Sequence, residues 1–253
     1  MPKSIDQAST NLSNSSFRVL KTIQWFAYLW LYMLMPRFKL IRLSRQHKIA
    51  ERDTCAHAVA RKWARTAITA NGSIIKVTGI ENVPASGGVL FVSNHQSNFD
   101  IPIFIGFVPR DKGFIAKIEL LKVPVFRMWM RNLGCVFIDR RDARQSLTAI
   151  SQAAERLKEG HSLVIFPEGT RSSDGKLGRF KPGSLKLGIK ANVPIVPVTI
   201  NGSMNIMPKG TSFIKSAEVE VIISPPLILD ELVEEDPNSV TEKVRNIILA
   251  NLR

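Results

Sequence analysis

The chain has 253 residues, 45% hydrophobic and 22% charged, which suits one large α/β domain or two small ones and excludes a disordered chain. Its formal net charge of +14 points to an anionic partner: nucleic acid, an anionic membrane surface or a phosphorylated substrate. The two cysteines, Cys55 and Cys135, lie outside any CxxC spacing and read as reduced thiols; His47, His57 and His161 share no ligand spacing, so metal catalysis finds no support.

Residues 1–16 are polar and Ser/Asn-rich and read as a frayed tail. Residues 17–70 are read as a helical anchoring segment. Their uninterrupted apolar run, Trp25 to Met35, has eleven residues. As a helix it measures roughly 16 Å, about half of a ~30 Å hydrocarbon core. Trp25, Tyr28, Trp30 and Tyr32 are residue types that favour the membrane–water interface. Arg37, Lys39, Arg42, Arg45 and Lys48 follow, a cluster suited to anionic head groups. Pro36 and Arg37 stand where a signal peptide would need small residues for cleavage. The expectation is a shallowly inserted or re-entrant membrane anchor, with an ordinary core helix and a true membrane span as the alternatives. A second helix is expected from Ile49 to Thr69, with Ala50, Cys55, Ala58, Trp63 and Ala64 as a weak amphipathic stripe.

From Ser73 short apolar runs alternate with helical segments. Strands are expected at Ile74–Val77, Val89–Val92, Gly113–Ala116, Cys135–Ile138, Leu163–Phe166, Ile195–Ile200 and Val219–Ile223. Helices are expected at about 99–108, 118–131, 144–159, 183–190 and 239–251, the last opening on a capping box, Ser239 with Glu242. This alternation predicts a mainly parallel, twisted sheet of about seven strands with helices on both faces, residues 71–253 forming one domain. Basic excess avoids its end: residues 217–253 carry three Lys and Arg against eight acids, whereas residues 1–70 carry twelve against three.

Within VSNHQSNFDIP (92–102), His95 and Asp100 are five positions apart. One continuous strand would separate them by roughly 17 Å. One continuous helix would point them roughly 140° apart. Pro102 is tolerated only in a helix's first turn, so Asp100 falls at or beside an N-cap and the chain turns between the two. His95 then leaves the carboxyl end of a strand, where open α/β sheets place ligands. Glu168, Gly169, Thr170 and Arg171 follow another strand, with Lys176, Arg179 and Lys181 beyond them, and Lys117 follows a third. Arginine fits phosphate through two parallel hydrogen bonds, and glycine allows close backbone approach.

There is no GxSxG elbow, no plausible cysteine nucleophile, no GxxxxGK[ST] and no GxGxxG, so an acyl-enzyme and nucleotide binding lack their machinery. What remains is a histidine base oriented by a carboxylate, beside cations for a phosphate. Such a site would activate a substrate's own hydroxyl against an acyl group. Nucleic acid is disfavoured, because both tyrosines and two of the four tryptophans sit in one apolar run rather than among basic residues.

The stretch Asn94 to Asp100 resembles the HX4D motif of the glycerolipid acyltransferases, and Phe166 to Ser172 resembles another of their signatures. FIAKIELLKVP…GCVFIDR and Val193 to Val198 resemble two further blocks, in order over about residues 73–201. Among these enzymes the chain looks most like the 1-acyl-sn-glycerol-3-phosphate (lysophosphatidate) acyltransferase family. The resemblance implies that an acyl thioester, acyl-CoA or acyl-carrier protein, reacts with lysophosphatidate to give phosphatidate at the cytoplasmic face of a membrane, without metal or bound cofactor. It implies His95 as base, Asp100 as its partner, a Glu168–Arg171 segment holding the glycerol phosphate, and Lys117 as a second phosphate ligand. Where the family commonly has Phe-Lys-Lys/Thr-Gly-Ala, this chain has Phe180-Lys181-Pro182-Gly183-Ser184, which leaves Lys181 without an assigned role. Another acceptor, glycerol 3-phosphate or a lyso-aminolipid, and a non-catalytic membrane-binding basic protein are the rival readings.

Overall fold

The computed structural model describes all residues except 1–4, 173, 182, 209–210, 212 and 229–235. Helix α1 (Ile5–Leu34) leads into α2 (Arg37–Arg45) across Met35 and Pro36, and α3 (Ile49–Thr69) follows. From Ile5 onward, the polar stretch expected to fray lies on α1. The chain then alternates through β1 (Ile74–Thr78), β2 (Leu90–Ser93), α4 (Asp100–Phe107), β3 (Lys112–Lys117), α5 (Pro124–Asn132), β4 (Val136–Ile138) and α6 (Ala143–Lys158). It continues through β5 (Ser162–Ile165), α7 (Lys186–Ala191), β6 (Ile195–Asn201), β7 (Glu218–Ile223) and α8 (Pro237–Asn251).

The seven strands form one sheet in the order β1-β7-β6-β2-β5-β3-β4. Strands β6, β2, β5, β3 and β4 pair in parallel. Strand β7 runs antiparallel to β6 while β1 runs parallel to β7, so this edge pair opposes the rest. Between β6 and β7 the described residues carry a 3₁₀ turn but no crossover helix of the kind that usually joins parallel neighbours.

Strand β2 is buried throughout, and its alternate residues feed two cores. Leu90 and Val92 pack with Ala153 and Leu157 of α6, Leu187 of α7 and Val244 of α8. Val89 and Phe91 pack on the other side with Ile68 of α3 and Ile103 and Phe104 of α4. A side chain buried in this way contributes roughly 1.5–3 kcal/mol. The central strands are therefore covered on both faces, whereas β1 at the edge exposes Ile74, Lys76 and Thr78.

Several boundaries differ from expectation. The buried stripe of α3 is Ala56, Ala60, Ala64, Ala67 and Ile68, sharing only Ala64 with the expected one. These small residues let α4 approach closely: Gly106 sits where a Cβ would lie 3.3 Å from the Cβ of Ala64. The expected helix at 118–131 is split into a 3₁₀ turn (Ile118–Lys122) and α5, because Pro124 opens the second piece. Helix α8 begins at Pro237 after Asp236, two residues before the expected Ser239 cap.

Candidate active site

Strand β2 ends at Ser93, and the next side chain prolongs its pairing. Asn94 Nδ2 donates to the Ile200 carbonyl at 2.8 Å, and the Ile200 N–H donates to Asn94 Oδ1 at 2.9 Å, imitating one more ladder pair with β6. His95 is the next residue. Its backbone N–H donates to Glu168 Oε1 at 2.8 Å, and its carbonyl accepts from the Ser172 N–H at 2.8 Å. Both clamps come from the loop that leaves β5, the neighbouring parallel strand.

The His95 ring stacks on Phe166, with centroids 4.2 Å apart and planes 19° from parallel. Its Nδ1 lies 2.7 Å from Asp100 Oδ2. A carboxylate only accepts, so Nδ1 is the donor in this contact and Nε2 is the acceptor nitrogen of the neutral ring. The Asp100 side chain is fully buried. Asp100 is the first residue of α4, and its carboxylate turns back: the Gln96 and Ser97 N–H groups donate to Oδ2 at 2.8 and 2.9 Å. The turn expected between His95 and Asp100 is present. Asp100 falls beside the N-cap, Phe99, as expected, and its carboxylate holds the loop before α4 rather than the N–H groups within it.

Glu168 is buried, and its Oε2 accepts the Gly178 N–H at 2.8 Å while Oε1 holds His95. Burial raises its pKa above the ordinary carboxylate value, and these two backbone hydrogen bonds pull the other way. Gly169 has φ +74°, a conformation that strains any side chain, and a Cβ there would displace the Lys181 side-chain end, 2.8 Å away at Cε. Thr170 and Arg171 are exposed and line a cleft of about 320 Å³ together with Glu168, Lys176 and Arg179. Lys117, the last residue of β3, is exposed on the strand beyond β5.

Arg140, two residues past the end of β4, was not singled out as a site residue from sequence. Its guanidinium donates to the Gly169 carbonyl and ties the β4 and β5 exits together. Its only signal was its place in the FIDR block. Lys181 lies over Gly169, while Pro182 is outside the described residues. Burial pushes the Cys135 thiol up to about 12, which disfavours it as a nucleophile near neutral pH. Among the described residues, no group of His, Cys, Asp and Glu could hold a metal ion.

The His95 imidazole, held by a buried carboxylate, thus stands at the carboxyl end of the parallel strands beside a cleft that carries Arg171, Lys176 and Arg179. A family model for acyltransferases matches residues 74–201, and the chain belongs to that family. It is 33% identical to a 1-acyl-sn-glycerol-3-phosphate acyltransferase of Borreliella burgdorferi, over 72% of each chain. It is 36% identical to a chloroplastic 1-acyl-sn-glycerol-3-phosphate acyltransferase of Brassica napus, over 74% of this chain and 56% of that one. The chain thus spans about half the length of such chloroplast relatives. The solved structure of the 1-acyl-sn-glycerophosphate acyltransferase PlsC from Thermotoga maritima superposes with a TM-score of 0.81 at 29% identity, covering 94% of this chain and 95% of that one.

Proposed function

We propose that this chain transfers a fatty acyl group from an acyl thioester to the sn-2 hydroxyl of lysophosphatidate, giving phosphatidate for phospholipid synthesis. The observation that carries the reading is the 2.7 Å contact between His95 Nδ1 and a fully buried Asp100, which leaves Nε2 as the ring nitrogen for a substrate hydroxyl. His95 Nε2 takes the proton of the hydroxyl as its oxygen attacks the thioester carbonyl. A C–O bond forms, the C–S bond breaks, and the imidazolium returns the proton to the departing thiolate. Asp100 stabilises that imidazolium. Arg171 and Lys117 hold the acceptor's phosphate, with Gly169 and Thr170 shaping the approach. Glu168 acts by fixing the His95 backbone, since both its oxygens are engaged there and at Gly178. Acyl-CoA or acyl-carrier protein is a substrate, so the reaction needs no resident cofactor or metal.

The names of the relatives support the acceptor, and the exposed apolar residues of the N-terminal helices support a membrane setting. Ile23, Phe26, Leu31 and Met35 of the first helix and turn, and Phe38 and Ile41 of α2, are all exposed. Among the described residues, no helix is long and apolar enough to cross a membrane. Shallow insertion of α1 and α2 at the cytoplasmic face, with Arg37, Lys39, Arg42 and Arg45 on anionic head groups, fits both facts.

The test is an assay panel crossing lysophosphatidate, glycerol 3-phosphate and a lyso-aminolipid with acyl-CoA and acyl-carrier protein. The expected result is thioester-dependent conversion of lysophosphatidate to phosphatidate. Turnover confined to another acceptor overturns the substrate, and no turnover with any pair, by protein that still binds anionic vesicles, overturns the enzyme.

A further inference from the structure

Asp100 has two oxygens, and the interactions above account for only one. Oδ2 takes His95 Nδ1 and the N–H groups of Gln96 and Ser97. Oδ1 accepts from the hydroxyl of Ser203, a short contact between two side chains that are both fully buried. Ser203 is 103 positions away in sequence and lies two residues past the stretch that the family model matches. It opens the 3₁₀ turn Ser203–Asn205 directly after β6, the strand beside β2.

The turn is built to put it there. Gly202 has φ +87°, and a Cβ at that position would lie 2.7 Å from the Glu218 carbonyl oxygen. The Gly202 N–H donates to Gln96 Oε1 at 3.2 Å, so the β6 exit is clasped to the loop that carries His95. Together with the Asn94–Ile200 pair, this sets the hydroxyl against the carboxylate.

We infer that Ser203 is a positioning residue for acyl transfer, fixing the Asp100 carboxylate so that Oδ2 meets the His95 ring. The inference rests on the proposed role of His95 as base. A charge-assisted hydrogen bond from a hydroxyl is short and strong, and a buried carboxylate oxygen that loses it has no solvent to replace it. Without the hydroxyl, the carboxylate rotates more freely and its charge is less dispersed. It is then easier to protonate, and while ionised it holds the imidazolium more tightly. Both effects reduce the fraction of sites with a free Nε2 at a given pH, so the acid limb of the rate profile moves to higher pH.

The experiment measures lysophosphatidate acylation against pH for wild type, Ser203→Ala, Asp100→Asn and the double variant, with acyl-CoA as donor and melting temperatures in parallel. Ser203→Ala should lower kcat roughly 10- to 100-fold with the acceptor KM within about twofold, and shift the acid limb upward. In the Asp100→Asn background it should add less than about threefold, because the two residues act as one unit. Ser203→Thr keeps the hydroxyl and should keep the wild-type limb. Ser203→Cys, close in shape but a weaker donor, carries the same test should the alanine variant not fold. An unmoved acid limb in the folded variant, or an equal loss in both backgrounds, overturns the inference. Near-wild-type activity in His95→Ala would instead overturn the proposed mechanism, whatever Ser203 does.

Discussion

His95 occupies a position where its own removal costs the fold little. Its side chain is partly exposed, and the backbone clamps at Glu168 and Ser172 do not depend on the imidazole. His95→Ala should therefore lose at least the ~10²–10⁴-fold that a general base supplies while melting near wild type. Asp100→Asn should be severely impaired too, but should also melt lower, because its carboxylate gathers two backbone N–H groups and a buried hydroxyl. Turnover and thermal melts on the same preparations separate these two effects. Arg171 differs from both, being exposed on the cleft wall. Arg171→Ala should raise the acceptor's KM with stability unchanged, and Arg171→Lys should rescue it only in part, since an ammonium lacks the two-pronged fit to phosphate. An unchanged acceptor KM beside a raised donor KM would move the phosphate site elsewhere.

Helix α4 carries Asp100 at its start, and its other end is fastened by a buried amine. Lys112 Nζ, from the first residue of β3, donates to the Phe104 and Val108 carbonyls at 3.1 and 2.8 Å. Burial pushes its pKa down to about 7 from an ordinary 10.5, with the neighbouring charges of Arg61 and Arg110 acting in the same direction and Asp111 against. A neutral amine still has two N–H donors, enough for both carbonyls. The sign follows: between about 7 and 10.5 the unfolded lysine holds a proton that the folded one has shed, so this group makes stability rise with pH across that window. Replacing Lys112 with methionine should flatten the rise, by an amount of order a few kcal/mol at most. Chemical denaturation of both proteins from pH 6.5 to 9.5 measures it, and equal slopes would mean that the amine is as readily protonated in the fold as outside it.

Across the whole molecule, α1 and α2 are joined to the α/β body by a few buried contacts and leave much of their apolar surface outside. Trp25 Nε1 donates to the Ala67 carbonyl at 3.2 Å and its ring lies 5.9 Å from Phe99, while Leu40 is buried against α3 and α5. Deleting residues 1–46 would uncover that core as well as remove the exposed apolar face. Glutamine at Ile23, Leu31 and Met35 instead changes only exposed positions. The triple variant should release much of the protein from anionic vesicles and depress activity on bilayer-presented lysolipid, with short-chain soluble substrate affected less. For the unaltered protein, high salt should loosen attachment without abolishing it, because apolar burial persists when head-group attraction is screened. Co-sedimentation checks both, and undiminished binding by the triple variant would rule out this face.

Much of this was legible in the linear chain. The seven strand segments, the turn between His95 and Asp100, and the placing of Glu168 to Arg171 and of Lys117 at strand exits follow from local rules: period, turn chemistry and the limits on proline. Each needs only neighbours within a few residues. The direction of β1 and β7 needed the tertiary structure, because it depends on which strands pair rather than on what each strand contains. The buried face of α3 also escaped, since a run of alanines has little amphipathic contrast until α4 packs on it. Arg140 on Gly169 and Glu168 on the His95 backbone join residues 29 and 73 positions apart, and Ser203 reaches Asp100 across 103. The linear chain alone settles which residue types stand at the strand exits, because side-chain type and local turns set that. Only the tertiary structure decided what holds them in place, because a buried carboxylate is satisfied by whichever donors the folded chain brings to it from afar.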